Sequence, residues 1–76
     1  MLEIVLMKEL SLGGREYIDL CDLLKVAGLC QTGGAAKIVI GSGEVLVDGL
    51  VETRKRCKIR AGQMVEYKNE RVTVTA

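Results

Sequence analysis

Thr32 to Arg60 reads TGGAAKIVIGSGEVLVDGLVETRKRCKIR, and this stretch decides the fold. It opens with Thr32-Gly33-Gly34-Ala35-Ala36-Lys37, a hydroxyl cap, two residues without side chains and a lysine one turn in. Four backbone N–H groups lack an intrahelical partner where a helix begins, and the peptide dipoles add partial positive charge there. The pattern therefore predicts a helix start whose bare backbone an anion can approach, with Lys37 on the same side. The alternative reading of Gly33 and Gly34 is a close approach between two helices, and the two can coexist. The stretch ends on Arg54, Lys55, Arg56, Lys58 and Arg60, five cations in seven residues. If this run is extended, Arg54, Arg56, Lys58 and Arg60 share one face, and Lys55, Cys57 and Ile59 the other. The competing reading is an edge strand whose cations discourage edge-to-edge pairing.

Outward from this stretch, the pattern supplies the remaining elements. Upstream, Leu20, Leu23, Leu24 and Ala27 recur at i, i+3, i+4 and i+7 inside a predicted helix over 17–27, with Cys21 widening the stripe. Asp19 and Asp22 fall in its early turns, and Gly28 is a C-terminal stop. Ala36, Val39 and Ile40 give the second helix one buried face, ending at Gly43. Residues 2–7 alternate as a strand and 10–14 read as a loop. Downstream, strands are expected over 44–47 and 50–53 about an Asp48-Gly49 hairpin turn. Ala61-Gly62-Gln63 is a turn, followed by strands over 64–67 and 71–75. The plan is α+β, two short helices packed on a small bent antiparallel sheet.

Seventy-six residues are expected to form a single domain over 1–76, burying roughly 60% of the unfolded chain's surface. Trp, Phe and Pro are absent, so Leu, Ile, Val, Ala, Met and Cys must fill the core. Hydrophobic residues make up 49%, too many for a disordered tail. No apolar run reaches the roughly 20 residues of a membrane span, and MLEIVLMKEL is short and acidic for a signal peptide, so a cytoplasmic location is expected. Net charge is only +1, but residues 1–50 carry −3 and residues 51–60 carry +4, which makes a patch.

Catalysis finds little support. There is no histidine for acid–base work near neutral pH, and the three cysteines have no C-x-x-C spacing for zinc. Cys21 and Cys57 read as core filler, although Cys57 lies among cations that favour a thiolate. Asp19 and Asp22 read as solvent carboxylates that match the helix dipole. Gly41-Ser42-Gly43 lacks the G-K-[ST] ending of a P-loop and follows a helix rather than a strand. A ubiquitin-like carrier would end in Gly-Gly, and this chain ends Thr75-Ala76.

With these residues in view, Ile40-Gly41-Ser42-Gly43-Glu44-Val45-Leu46-Val47-Asp48-Gly49 resembles the run I-x-x-G-x-V-x-V-N-G, with Asp48 for the usual Asn. That run marks the RNA-binding domain named after small-subunit ribosomal protein four, the S-four domain or alpha-L motif. The similarity extends over about residues 18–65, with Gly62 ahead of the closing strand. Many members open the second helix with Ser-Arg, where this chain has Thr32-Gly33, so that arginine has no counterpart. The Thr-Gly-Gly-x-Ala-Lys opening and Glu52-Thr53-Arg54-Lys55-Arg56 are similar to the small stand-alone bacterial members, the YbcJ-like proteins. The resemblance implies the alpha-L fold and a non-catalytic RNA-binding module without a cofactor.

The expected contacts to RNA are Thr32, Gly33, Gly34, Lys37, Arg54, Lys55, Arg56 and Lys58, with Arg60 less central. Two tyrosines are too few for a stacking platform, so the expected ligand is structured RNA read through backbone and shape, ribosomal RNA being one candidate. A monomer is expected, with no membrane contact and with room for a protein partner in a ribonucleoprotein. The alternative function is an adaptor that docks an acidic protein on the same basic strip.

Overall fold

The computed structural model describes residues 6–76. Two helices, α1 (Leu20–Val26) and α2 (Gly33–Gly41), accompany seven strands: β1 (Leu6–Ser11), β2 (Ile18–Asp19), β3 (Val45–Val47), β4 (Leu50–Val51), β5 (Lys58–Ile59), β6 (Met64–Tyr67) and β7 (Glu70–Thr75). Five strands form one sheet in the order β1-β7-β6-β3-β4, and β2 pairs with β5 in a two-stranded ribbon. The α+β plan with two short helices holds.

Period-2 alternation gives the larger sheet its apolar face. Val45 and Val47 on β3 lie opposite Tyr67 and Val65 on β6, and Val65 in turn lies opposite Val72 on β7. These residues are buried together with Val74, while Leu46, Glu66 and Thr73 between them are only partly covered. Leu20, Cys21, Leu23 and Leu24 of α1 and Ala36 and Ile40 of α2 join the same core, as their helical spacing requires. Ile18 and Ile59, paired across the small ribbon, also point into it.

Three expectations are corrected. First, the sheet is mixed rather than purely antiparallel, because β1 runs parallel to β7 from Leu6↔Glu70 to Ser11↔Thr75. That pairing keeps Leu10 and Ser11 in the strand and moves the loop to start at Leu12, whose N–H donates to the Thr75 carbonyl at 2.9 Å. Of the strand expected over 2–7, residues 2–5 lie outside the described residues. Second, the helix expected from Tyr17 begins at Leu20, because Ile18 and Asp19 are extended and paired with Ile59 and Lys58. Asp19 is thus the N-cap rather than an early-turn residue, and its side chain makes no capping bond. Third, the return strand expected over 50–53 is only Leu50–Val51, and the last strand starts one residue early at Glu70.

Backbone handedness explains two stops. Gly28 has φ +81 and ends α1, with the Gly28 and Leu29 amides donating back to Lys25 and Leu24. Asp48 (φ 50) and Gly49 (φ 84) both have positive φ, as the tight two-residue hairpin between β3 and β4 demands. The Asp48 carboxylate then reaches out of the hairpin. Its Oδ1 accepts from the Met64 N–H at 2.9 Å and its Oδ2 from Gln63 Nε2 at 3.3 Å. The Gln63 amide is oriented from its other end, where Oε1 accepts from the Arg60 N–H at 2.8 Å.

Leu24 is fully buried on the face where α1 meets α2 and the sheet. Leu24→Ala is expected to cost roughly 2–5 kcal/mol in denaturant unfolding, the range for a truncated core leucine. A loss below about half a kcal/mol would mean that this helix face is not part of the core.

Candidate nucleic-acid interface

The two helix N-termini are treated differently by the fold. At the start of α1, Leu20 N–H donates to the Cys57 carbonyl at 2.9 Å and Cys21 N–H to the Lys55 carbonyl at 3.1 Å. Backbone from the basic segment therefore occupies that N-terminus. At the start of α2, Thr32 Oγ1 accepts from the Ala35 N–H at 3.0 Å, as the cap reading predicts. The first backbone bond of the helix runs from Ala36 N–H to the Thr32 carbonyl, which leaves the Gly33 and Gly34 amides without an intrahelical partner.

Glycine at these two positions is not demanded by packing. A Cβ on Gly33 would meet nothing within 4 Å, and one on Gly34 only Thr32 Oγ1 at 3.9 Å. Close approach of the helices therefore does not account for the pair. Lys37 follows Gly33 by four residues and Gly41 follows Lys37 by four, so the three share one stripe of α2 about 12 Å long. At its far end the Lys55 side chain arrives from the basic segment, with Cε 3.4 Å from where a Cβ on Gly41 would stand. The structure thus brings Gly33, Lys37 and Lys55 to one face, although Lys37 and Lys55 are eighteen positions apart in sequence. Gly41, which sequence reasoning considered only as part of a weak phosphate-loop pattern, supplies the seat for Lys55.

The basic segment itself is not the extended strip expected from alternation. Cys57 N–H donates to the Arg54 carbonyl at 3.1 Å, closing a turn through Lys55 and Arg56, and only Lys58–Ile59 pairs as strand. The carbonyls given to α1 impose that turn. Ile59 is buried and Cys57 packs against the core as the strip reading required, but Lys55, expected on the same back face, is exposed with the other cations because the turn swings it toward α2. Arg54, Arg56 and Lys58 surround a hollow of about 400 Å³ with Cys57 among its walls.

Arg54 is held by Glu52. Its Nε and Nη2 donate to Oε2 and Oε1 at 3.0 and 2.9 Å, and its own N–H also donates to Oε2. The side-chain bonds from Arg54 pull the Glu52 carboxyl down to about 2, and the same pairing raises the Arg54 guanidinium further above its ordinary range. Among the described residues, ion pairs engage Lys8, Arg54 and Arg71, and none engages Lys37, Lys55, Arg56, Lys58 or Arg60. Lys58 Nζ and Arg60 Cζ instead lie 4.9 and 5.6 Å from the Tyr17 ring centroid.

The surroundings of Cys30 and Cys57 do not favour a thiolate. Burial pushes Cys57 upward despite the neighbouring arginine, and burial likewise raises Cys30, while Cys21 is buried in the core. Among the described residues, no three His, Cys, Asp or Glu side chains gather as a metal site, and no helix is long and apolar enough to cross a membrane.

A helix pair followed by a Gly-punctuated β-run and a cationic turn is a recognisable arrangement. The model of the S4 domain family matches residues 10–75, nearly the whole chain and wider than the 18–65 core read from motifs. The chain belongs to the S4 domain family. It is 53% identical over 70 residues to the Escherichia coli (strain K12) protein named "Putative RNA-binding protein YbcJ", covering 92% of this chain and 100% of that one. A Shigella flexneri YbcJ is matched with the same identity and coverage. The solution structure of YbcJ from E. coli, described as revealing an alfaL motif involved in RNA-binding, superposes with a TM-score of 0.73 at 49% identity. That superposition covers 100% of this chain and 96% of YbcJ. The S4-type alpha-L fold expected from the V-x-V-[ND]-G run is therefore the fold of this protein, and the likeness to the YbcJ-like members holds.

The Glu52–Arg54 pair has a pH signature. A carboxylate lowered from 4.5 to about 2 contributes stability that is fully present above pH 4.5 and is lost as pH falls through 2. Glu52→Gln is therefore expected to lower stability at neutral pH by a modest amount, since the pair is solvent-screened, and the difference from wild type should vanish as pH falls toward 2, which flattens the acid limb. An unaltered acid limb would remove the pair from the acid response.

Proposed function

We propose that this protein is a non-catalytic RNA-binding module that holds the backbone of structured RNA along the α2 stripe and the adjoining basic turn. One observation carries the reading. The amides of Gly33 and Gly34, Lys37, and Lys55 seated on Gly41 form a track, and Lys55 belongs to the same turn as Arg54, Arg56 and Lys58, which border a hollow. Bare helix amides and spaced cations, unpaired except for Arg54, suit phosphate oxygens and carry no base code, so recognition rests on shape and backbone. Thr32 acts through its cap, which holds the two glycine amides in place. Arg54 contributes through Nη1, since Glu52 engages Nε and Nη2, and Nη2 also donates to Cys57 Sγ at 3.6 Å.

Membership in the S4 domain family and the name borne by the E. coli relative support the same reading. The family is one of RNA-binding domains rather than of enzymes, and the chain is read as acting without chemistry of its own. The working picture is a single-domain cytoplasmic monomer that meets ribosomal or other structured RNA, alone or within a ribonucleoprotein.

Counterion release gives a quantitative test. Four or five phosphate contacts from Lys37, Arg54, Lys55, Arg56 and Lys58 imply a slope of log affinity against log salt of roughly −3 to −4. Arg54→Ala with Arg56→Ala should make that slope shallower by about one and a half units, with similar losses across RNA sequences and little change in stability. An unchanged slope in the folded double variant would remove the turn from the interface. A steeper slope on an acidic peptide than on RNA would instead favour a protein-docking role.

The helix start has its own test. Gly34→Glu places bulk and negative charge beside the free amides, so RNA affinity should fall. Stability should hold or rise by about 0.3–1 kcal/mol, because a first-turn glutamate suits the dipole. Full RNA affinity in this folded variant would argue against phosphate at the α2 start.

A further inference from the structure

Next to the basic turn lies a second feature that backbone recognition leaves unused. The β2–β5 ribbon turns Ile18 and Ile59 into the core, which sends the residue before each, Tyr17 just ahead of β2 and Lys58 within β5, to the outer face. Tyr17 is 37% exposed in a protein whose other tyrosine, Tyr67, is buried. Lys58 and Arg60 approach its ring at 4.9 and 5.6 Å. Along Tyr17 runs a groove of about 540 Å³ that is also lined by Arg15, Glu16, Asp19 and Asp22. Neither Lys58 nor Arg60 lines it, although Lys58 pairs across the ribbon with Asp19, which does.

The groove and the cation pair differ in chemistry. Three carboxylates against one guanidinium repel a phosphate from the groove but accept hydrogen bonds from amino and imino groups. An aromatic face attracts any nucleobase, and stacking is the common way for proteins to hold a base that has left its helix. Lys58 and Arg60 stand where the phosphate attached to such a base can be neutralised, and Lys58 also borders the hollow of the basic turn. We propose that Tyr17 stacks a single unpaired base bearing amino donors, guanine best and uracil worst, whose phosphate lies on Lys58 and Arg60. This rests on the RNA-binding reading and adds to it a preference for structured RNA with an extruded nucleotide over an uninterrupted helix.

The test uses three RNA hairpins with one common stem: one with a single-guanosine bulge, one with a single-uridine bulge and one without a bulge. Wild-type protein should bind them in that order of decreasing affinity, the uridine bulge and the plain stem lying close together. Tyr17→Ala should weaken binding of the guanosine-bulged hairpin about tenfold, in keeping with the loss of one base–aromatic stack, and leave the plain stem unchanged. Tyr17→Phe, which keeps the ring, should retain wild-type affinity. In a Tyr67→Phe background Tyr17 is the only tyrosine, and the guanosine bulge should quench its fluorescence while the plain stem does not.

Equal losses on bulged and plain hairpins in Tyr17→Ala would mean that the ring only seats its two cations, and the base site would be overturned. No loss on either would overturn it too, with RNA binding itself left standing. Failure of the wild-type protein to bind any of the three would remove the base site and the RNA-binding reading together.

Discussion

Two backbone hydrogen bonds, Leu20 N–H to the Cys57 carbonyl and Cys21 N–H to the Lys55 carbonyl, govern much of the structure. A helix that starts in the interior must find partners for its first amides, because an unpaired buried N–H costs about as much as a lost hydrogen bond. Here the partners come from a segment more than thirty residues downstream. Having given its carbonyls to α1, that segment cannot run as a plain strand, and it folds into the Arg54–Cys57 turn with its cations outward. The same anchoring sets β5 against β2, so the aromatic and cationic residues of that ribbon face solvent as a consequence of how α1 is capped. Core, helix start and charged surface are therefore one construction.

The contrast between the helices follows from it. The positive end of the α1 dipole is met by carbonyl oxygens of the chain itself, whereas that of α2 is met only by one threonine hydroxyl. A net charge of +1 is no obstacle to an anion here. Beyond roughly 8 Å at physiological salt, the acidic residues elsewhere are largely screened. The field that a phosphate meets is that of Lys37, Lys55 and the free amides, together with the arginines of the turn.

Elements that announce themselves by period or by turn chemistry were legible in the chain. The Leu20–Leu23–Leu24 stripe, the Thr32 cap, the Asp48-Gly49 hairpin and the alternating strands 64–67 and 70–75 each obey a local rule and stand where the rule puts them, give or take a residue. Features that depend on distant partners were not. Nothing near Tyr17 reveals that Ile18 and Asp19 pair with Ile59 and Lys58, so local periodicity starts the helix three residues early. Parallel pairing of β1 with β7 joins nearly opposite ends of the chain and leaves no local mark. For the candidate site, residue types were legible but their company was not. Alternation sorted inward from outward in the basic segment, yet it could not foresee that Lys55 leans onto Gly41 beside the Lys37 stripe. Nor could it foresee that Glu52 occupies part of Arg54.

The amide of Gln63 has a consequence for how sequences of this family can be exchanged. Its oxygen is committed to the Arg60 N–H and its nitrogen to Asp48 Oδ2, while Asp48 Oδ1 serves Met64 N–H. Asp48 thus faces two donors at once, and a carboxylate can accept from both. Asparagine in its place would have one oxygen; whichever way its amide is turned, its NH₂ group meets another donor. Turning Gln63 over to help would set two donors together at Arg60 instead. Positions 48 and 63 therefore form a compatibility pair, and a hairpin transplanted from a relative with Asn at the turn should bring its own partner for position 63.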